Sequence, residues 1–123
     1  MLKMHVCAIM CLGVLTGCAA AALESGAQQV RIVTNEPQGC DYLGEVTGSQ
    51  GDFFTGSFTS NANLETGARN DMKNQASKLG ANTVHLLTNR AGQTGSMGDG
   101  SGSMQQTNVT YTGVAYRCPS SNK

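Results

Sequence analysis

The five cysteines of this chain are the residues most able to do chemistry, because a thiol can be acylated, oxidised to a disulfide or bound to a metal. They are Cys7, Cys11, Cys18, Cys40 and Cys118. The first three lie in or directly after an apolar N-terminal run, and the other two lie far apart in the polar remainder. The two groups therefore predict two different fates for the thiol.

The first group lies in a segment with the features of a bacterial export signal. Lys3 supplies a positive start, and the apolar run over residues 6–15 is much shorter than the roughly 20 residues that span a bilayer. The run closes on Leu15-Thr16-Gly17-Cys18, which resembles the lipobox of a lipoprotein signal. That resemblance implies that the Cys18 thiol receives a diacylglyceryl group, that residues 1–17 are removed as a lipoprotein signal peptide, and that the new amine is acylated.

Two other interpretations of this segment are an ordinary signal peptide with an accidental cysteine and an apolar N-terminal helix that is retained. Charge, length and terminus together favour the lipoprotein signal. Two or three acyl chains would make membrane attachment effectively permanent, because each buried methylene adds about 0.8 kcal/mol of membrane affinity. Ala19, rather than an aspartate, follows the cysteine. By resemblance to Gram-negative lipoproteins, this favours the outer membrane, with the domain facing the periplasm.

The second group, Cys40 and Cys118, predicts a disulfide. These are the only thiols left once residues 1–17 are removed and Cys18 is lipidated, and two cysteines permit one pairing. The space beyond the inner membrane is oxidising, and closing a loop of about 78 residues corresponds to roughly 4–5 kcal/mol at most. The alternatives are two free thiols or half of a metal site. A zinc site needs four ligands, and beyond residue 17 the chain adds one histidine to these cysteines.

Composition bounds the rest of the interpretation. Residues 18–123 suffice for one small domain. The 8 Lys/Arg and 8 Asp/Glu of the chain balance, so loss of Lys3 leaves a net charge of about −1 and no basic patch for nucleic acid. With no tryptophan and 3 phenylalanines the core must be thin, so a covalent cross-link would be useful.

The chain divides into a tether, a domain and a tail. Residues 18–28 are alanine-rich and predict a flexible, lipidated tether of roughly 18 Å. Residues 29–118 are the predicted α/β domain, and residues 119–123 a C-terminal tail. Within the domain, alternating or β-branched sequence predicts four strands, over residues 29–33, 42–47, 82–88 and 107–118.

Two polar stretches between these strands predict loops. Residues 48–60 contain Phe53, Phe54 and Phe58, and we expect this loop to fold over an open edge of the core; a patch for binding a partner is the alternative. Residues 89–106 are dominated by Gly, Ser, Gln and Thr and predict a flexible connection.

One helix is predicted, over residues 63–79. Its apolar side chains recur on one face at the helical period: Leu64, Ala68, Met72, Ala76 and Leu79. Asn61 or Asn63 is predicted to cap the start, and Glu65 to add negative charge to the first turn. Gly80 suits the left-handed residue that ends a helix.

The resulting order, β-β-α-β-β, predicts an α+β fold with a small mixed four-stranded sheet and one helix packed on it. Strands two and three should be parallel, and strand four antiparallel to both. This direction brings the end of strand four beside the start of strand two, where Cys118 and Cys40 lie. Topology and cysteine count thus predict the same disulfide.

The residues that could catalyse a reaction are few. His85 is the only candidate base beyond residue 17, it lies within a predicted strand, and no serine elbow motif accompanies it. Met97 and Met104 could join His85 as soft copper ligands, which is a weak signal. We expect no catalytic residue and no cofactor.

Four stretches carry a family resemblance: CDYLGEVTG at 40–48, ARNDMKNQA at 68–76, LGANTV at 79–84 and GVAYRC at 113–118. They resemble the YjeI-like family of small, uncharacterised enterobacterial lipoproteins. More distantly they are similar to RcsF, a sensor of envelope stress, and to the YbjQ proteins, which are described as heavy-metal-binding. The resemblance implies a sheet domain with one helix packed across it. RcsF has two disulfides and this chain has cysteines for one, so the signalling role does not transfer residue by residue.

We therefore expect a non-enzymatic outer-membrane lipoprotein whose periplasmic module binds a protein or another envelope component. An envelope-stress sensor of the RcsF type is the first alternative, and a periplasmic metal-binding protein is the second.

Overall fold

The computed structural model describes residues 20–52, 59–98 and 101–120, with the side chains of 94–98 and 101–104 left out of the description. A short 3-10 turn precedes five regular elements. These are β1 (Arg31–Val33), β2 (Asp41–Gln50), α1 (Asn61–Lys78), β3 (Thr83–Gly98) and β4 (Ser101–Arg117). The element order confirms the predicted α+β fold.

The four strands form one mixed sheet in the order β1-β3-β4-β2. β4 lies between β2 and β3 and is antiparallel to both, so β2 and β3 run in the same direction, as predicted. β1 is parallel to β3 through three residue pairs. The helix therefore carries the chain across β4 from one strand to the other.

The flexible connection predicted for residues 89–106 is wrong. β3 continues to Gly98 and β4 begins at Ser101, and the two pair along this whole length with a register shift after Gly92. The ladder is made of backbone hydrogen bonds, which need no apolar side chains. A stretch of Gly, Ser, Gln and Thr can therefore form a hairpin arm that its low hydrophobicity conceals.

The start of α1 differs from the prediction in its cap. Ser60 is the N-cap, and its hydroxyl accepts a hydrogen bond from the backbone N–H of Asn63 at 3.2 Å. Asn61 and Asn63 both lie inside the helix. Because the helix begins at Asn61, Glu65 lies beyond the first turn, and its carboxylate instead accepts a hydrogen bond from the Tyr111 hydroxyl at 2.8 Å.

The end of α1 confirms Gly80, whose φ of +81° is the left-handed conformation. Leu79 does not join the buried face, since it follows the last helical residue and is 45% exposed. The four earlier residues of the predicted face, Leu64, Ala68, Met72 and Ala76, are fully buried. They pack with Val46, Val84, Val109 and Ala115 of the sheet.

The opposite face of the sheet is polar. Thr47, Thr112 and Thr88 occupy one row across β2, β4 and β3, because they pair in register. Thr47 and Thr88 are exposed, and so are two large apolar residues, Tyr42 and Leu87. We call this surface the open sheet face.

Two further observations concern membranes and the phenylalanines. No helix in the described ranges is both long enough and apolar enough to cross a bilayer. Phe53, Phe54 and Phe58 lie outside the described residues, so their predicted position over the core edge stays a prediction.

Candidate functional site

The segment that follows the proposed lipid attachment lies on the helix. We call residues 21–27 the N-terminal strap. The backbone N–H of Ala21 donates to the Gln50 side chain at 3.0 Å, and the Asn70 amide donates to the Ala21 carbonyl at 2.8 Å. Asn74 donates to the Ala22 carbonyl at 2.9 Å and accepts from the Glu24 N–H at 2.8 Å.

The far end of the strap is buried. Gly26 adopts a φ of +88° beside Ser77, and the next residue, Ala27, is fully buried. The 3-10 turn Ala27–Gln29 then leads to the buried Val30 and into β1. Residues 21–28 therefore belong to the domain, in contrast to the predicted flexible tether. Their own sequence does not signal this, because the groups that hold them are amides distant in the chain.

Gly67 explains how Gln50 reaches the strap. A glycine inside a helix costs about 1 kcal/mol relative to alanine. Here a β-carbon at Gly67 would overlap the Gln50 side chain. The glycine thus leaves room for the amide that binds Ala21.

We expect Asn74→Ala to release the strap while the domain stays folded. Asn74 is buried and makes two of the strap's hydrogen bonds, so the Glu24 amide should exchange with deuterium about fivefold to tenfold faster. Hydrogen–deuterium exchange on the full chain measures this. Asn63→Ala, an exposed asparagine of the same helix, is the matched control and should leave the exchange unchanged. Unchanged protection in Asn74→Ala would contradict the prediction.

The second constellation lies at the other end of the sheet, where Cys40 and Cys118 form the predicted disulfide with their Cα atoms 4.3 Å apart. Asn82 fastens the same place. Its side chain donates to the Cys118 carbonyl and accepts from the Cys118 N–H, both at 2.8 Å. The Asn82 N–H also donates to the Tyr116 carbonyl at 3.0 Å. One asparagine thus continues the ladder of β3 and β4 to the cysteine.

Asn82→Ala should lower the free energy of unfolding by about 2 kcal/mol, because two hydrogen bonds are lost at a partly buried backbone. Asn82→Asp keeps the oxygen that accepts from Cys118 and loses only the donor, so we expect a loss of about 1 kcal/mol. Urea denaturation under oxidising conditions measures both. Equal stability of the two variants would show that the amide donor contributes nothing.

A polar cleft of about 410 Å³ lies beside the disulfide. Arg31 and Arg117 line it together with Asn82 and Thr83, and Arg117 also donates to the Gly80 carbonyl at 3.4 Å. On the adjoining strand end, the Tyr116 hydroxyl donates to Glu36 at 3.1 Å. Burial, and then the Glu36 carboxylate, raise the pKa of Tyr116 above its ordinary value. Tyr116 therefore stays protonated and acts as a hydrogen-bond donor.

The remaining predicted residues are not brought together. His85 is half-buried in β3, and its neighbours in the adjacent strands are Val33 and Val114. Cys18 and the side chains of Met97 and Met104 lie outside the described part of the chain. Within residues 20–52, 59–98 and 101–120, no three His, Cys, Asp or Glu residues come together as ligands for a metal ion.

The fold and these contacts define a small disulfide-linked α+β domain with an N-terminal strap on its helix. The chain belongs to the family described as "Domain of unknown function (DUF4156)", whose sequence profile matches residues 21–118. The matched region begins at the first hydrogen-bonded residue of the strap, Ala21, and ends at the disulfide residue Cys118. The strap thus lies within the region that defines the family.

Proteins described as "Uncharacterized protein YjeI" are similar to this chain. Those of Escherichia coli strain K12 and of Shigella flexneri are each 31% identical over 107 residues. The aligned region covers 85% of this chain and 86% of the relative. The predicted resemblance to the YjeI-like family is therefore confirmed.

Proposed function

We propose that this protein is a non-enzymatic lipoprotein of the outer membrane, whose periplasmic domain binds an envelope protein or another envelope component. The observation that carries the proposal is Leu15-Thr16-Gly17-Cys18 at the end of a short apolar run behind Lys3. Cys18 carries the lipid, and residues 1–17 are its removed signal.

Three features of the structure support the proposal. The Cys40–Cys118 disulfide suits an oxidising compartment. The open sheet face, with Tyr42 and Leu87 exposed beside the threonine row, offers a surface for a partner. His85, the one candidate base, has valines beside it in the neighbouring strands, which supports a binding role over a catalytic one.

Mass spectrometry tests the lipid. The full chain, expressed in a Gram-negative host and purified from membranes in detergent, should lack residues 1–17 and carry the mass of acyl groups on the N-terminal cysteine. Cys18→Ser is the control and should keep the unprocessed mass. An unmodified Cys18 in the native protein would refute the proposal.

Fractionation tests the location. After separation of the two membranes on a density gradient, the native chain should be found with the outer membrane. Ala19→Asp should move it to the inner membrane, because aspartate after the lipidated cysteine retains Gram-negative lipoproteins there. Identical distributions of the two proteins would contradict the outer-membrane assignment.

Site-specific photocrosslinking in cells tests the partner surface. A photoreactive residue at Thr47 or Thr88 on the open sheet face should capture a discrete envelope component. The same residue at Asn61, exposed at the start of α1, is the control and should not capture it. Equal capture from all three positions would show that the open sheet face is not the binding surface.

A further inference from the structure

We propose that the strap holds the α1 side of the domain directly against the membrane, so that Arg69 and Lys73 contact anionic phospholipid headgroups. The inference deepens the proposed function and rests on lipidation of Cys18. It replaces a domain floating on a spacer with one in a fixed orientation. The open sheet face, on the other side of the sheet from α1, then points into the periplasm.

The first step is the length of free chain. Ala21 is fixed at both of its backbone polar groups, by Gln50 and by Asn70. Only residues 18–20 separate this point from the proposed lipid, with Cys18 itself carrying it. At no more than about 3.6 Å per residue, this chain reaches roughly 10 Å. A lipid in the membrane therefore keeps Asn70 close to the headgroups.

The second step is the position of the strap on the helix. Its contacts advance from Asn70 through Asn74 to Ser77, so it runs along the outer surface of α1 from the middle to the end. The end nearest the lipid thus lies at the middle of the helix. Residues 66, 69 and 73 follow one another at helical spacing on the surface beside it. Thr66 and Arg69 are exposed, and Lys73 is half-buried.

The third step is charge. Two nearby carboxylates are directed toward the domain, since Asp71 accepts from the Ser49 N–H at 2.9 Å and from Gln75 at 3.2 Å, and Glu65 accepts from Tyr111. Glu24 on the strap is exposed and opposes the effect. A cation close to an anionic membrane surface favours contact by about fivefold in population, which corresponds to roughly 1 kcal/mol per residue.

Tryptophan fluorescence provides the test, because the chain contains no tryptophan. Thr66→Trp places one reporter beside the strap, and Thr47→Trp places a matched reporter on the open sheet face, both at exposed positions. The full chain of each variant is purified as the processed membrane protein and reconstituted in vesicles of phosphatidylcholine and phosphatidylglycerol with brominated acyl chains. Circular dichroism and a urea transition verify that both variants fold.

We expect bromine to quench Thr66→Trp strongly and Thr47→Trp little. Ten Gly/Ser residues inserted after Ala20 should abolish the difference, because they lengthen the free chain without touching the strap. Arg69→Gln with Lys73→Gln should reduce the quenching of Thr66→Trp, and omission of phosphatidylglycerol should have the same effect.

Each outcome decides one proposal. If mass spectrometry finds no lipid on Cys18, the proposed function fails and the membrane contact fails with it. If the lipid is present but both reporters are quenched equally, the lipoprotein assignment stands and the fixed orientation is overturned. If quenching is selective but does not respond to the two glutamine substitutions or to phosphatidylglycerol, the strap orients the domain and the headgroup contact is overturned.

Discussion

Replacement of both disulfide cysteines, Cys40→Ser with Cys118→Ser, is expected to lower the free energy of unfolding by about 4 kcal/mol. The bond joins residues 78 positions apart, so it restricts most of the unfolded domain. It also joins the start of β2 to the end of β4, at the point where Asn82 attaches β3. For a domain of this size, such a loss is a large share of the total stability.

Urea denaturation of the full chain, followed by far-ultraviolet circular dichroism, measures the loss. A thiol reductant should destabilise the native protein by a similar amount and leave the double serine variant unchanged, which serves as the control for other effects of the reagent. If the variant unfolds at the native urea concentration, the bond does not contribute to stability.

Gly48→Val is expected to destabilise the domain by about 3 kcal/mol or more, since overpacking of a close contact displaces whole elements. Gly48 is buried in β2 directly beneath α1. A β-carbon there would overlap the backbone of Ala68 and of Met72. Helix backbone cannot move aside as a flexible side chain can, so α1 would have to lift from the sheet and expose the core around Met72.

The neighbouring residue supplies a matched control. Thr47→Val makes a similar side chain on the same strand, but on the open sheet face, and should change stability by less than about 0.5 kcal/mol. Thermal and urea unfolding of both variants give the comparison. Similar stabilities for Gly48→Val and Thr47→Val would mean that helix and sheet do not approach at Gly48 as closely as described.

Local patterns in the sequence predict α1 well and its ends less well. Leu64, Ala68 and Met72 repeat at the helical period because one face must leave water, and all three are fully buried. The cap is harder to predict, since serine and asparagine are similarly favoured N-caps and stand together at residues 60–63. Leu79 matches the period but lies past the last helical turn, where the period no longer sets its direction.

The hairpin arm and the strap show what local patterns miss. Residues 89–98 and 101–106 carry almost no apolar side chains, and their pairing depends on backbone groups that every residue has. The strap is alanine-rich, and its partners Gln50, Asn70 and Asn74 come from elements that follow it in the chain. Neither feature has a signal in its own residues.

The sequence by itself determined the element order, the buried helix face and the pairing of Cys40 with Cys118, because periodicity, strand direction and cysteine count are properties of the chain alone. The tertiary structure alone decided that β4 lies between β2 and β3, that the polar ribbon is paired, and that residues 21–28 dock on α1. The physical reason is that these features rest on hydrogen bonds and close contacts between residues far apart in the chain, whose partners no local pattern identifies.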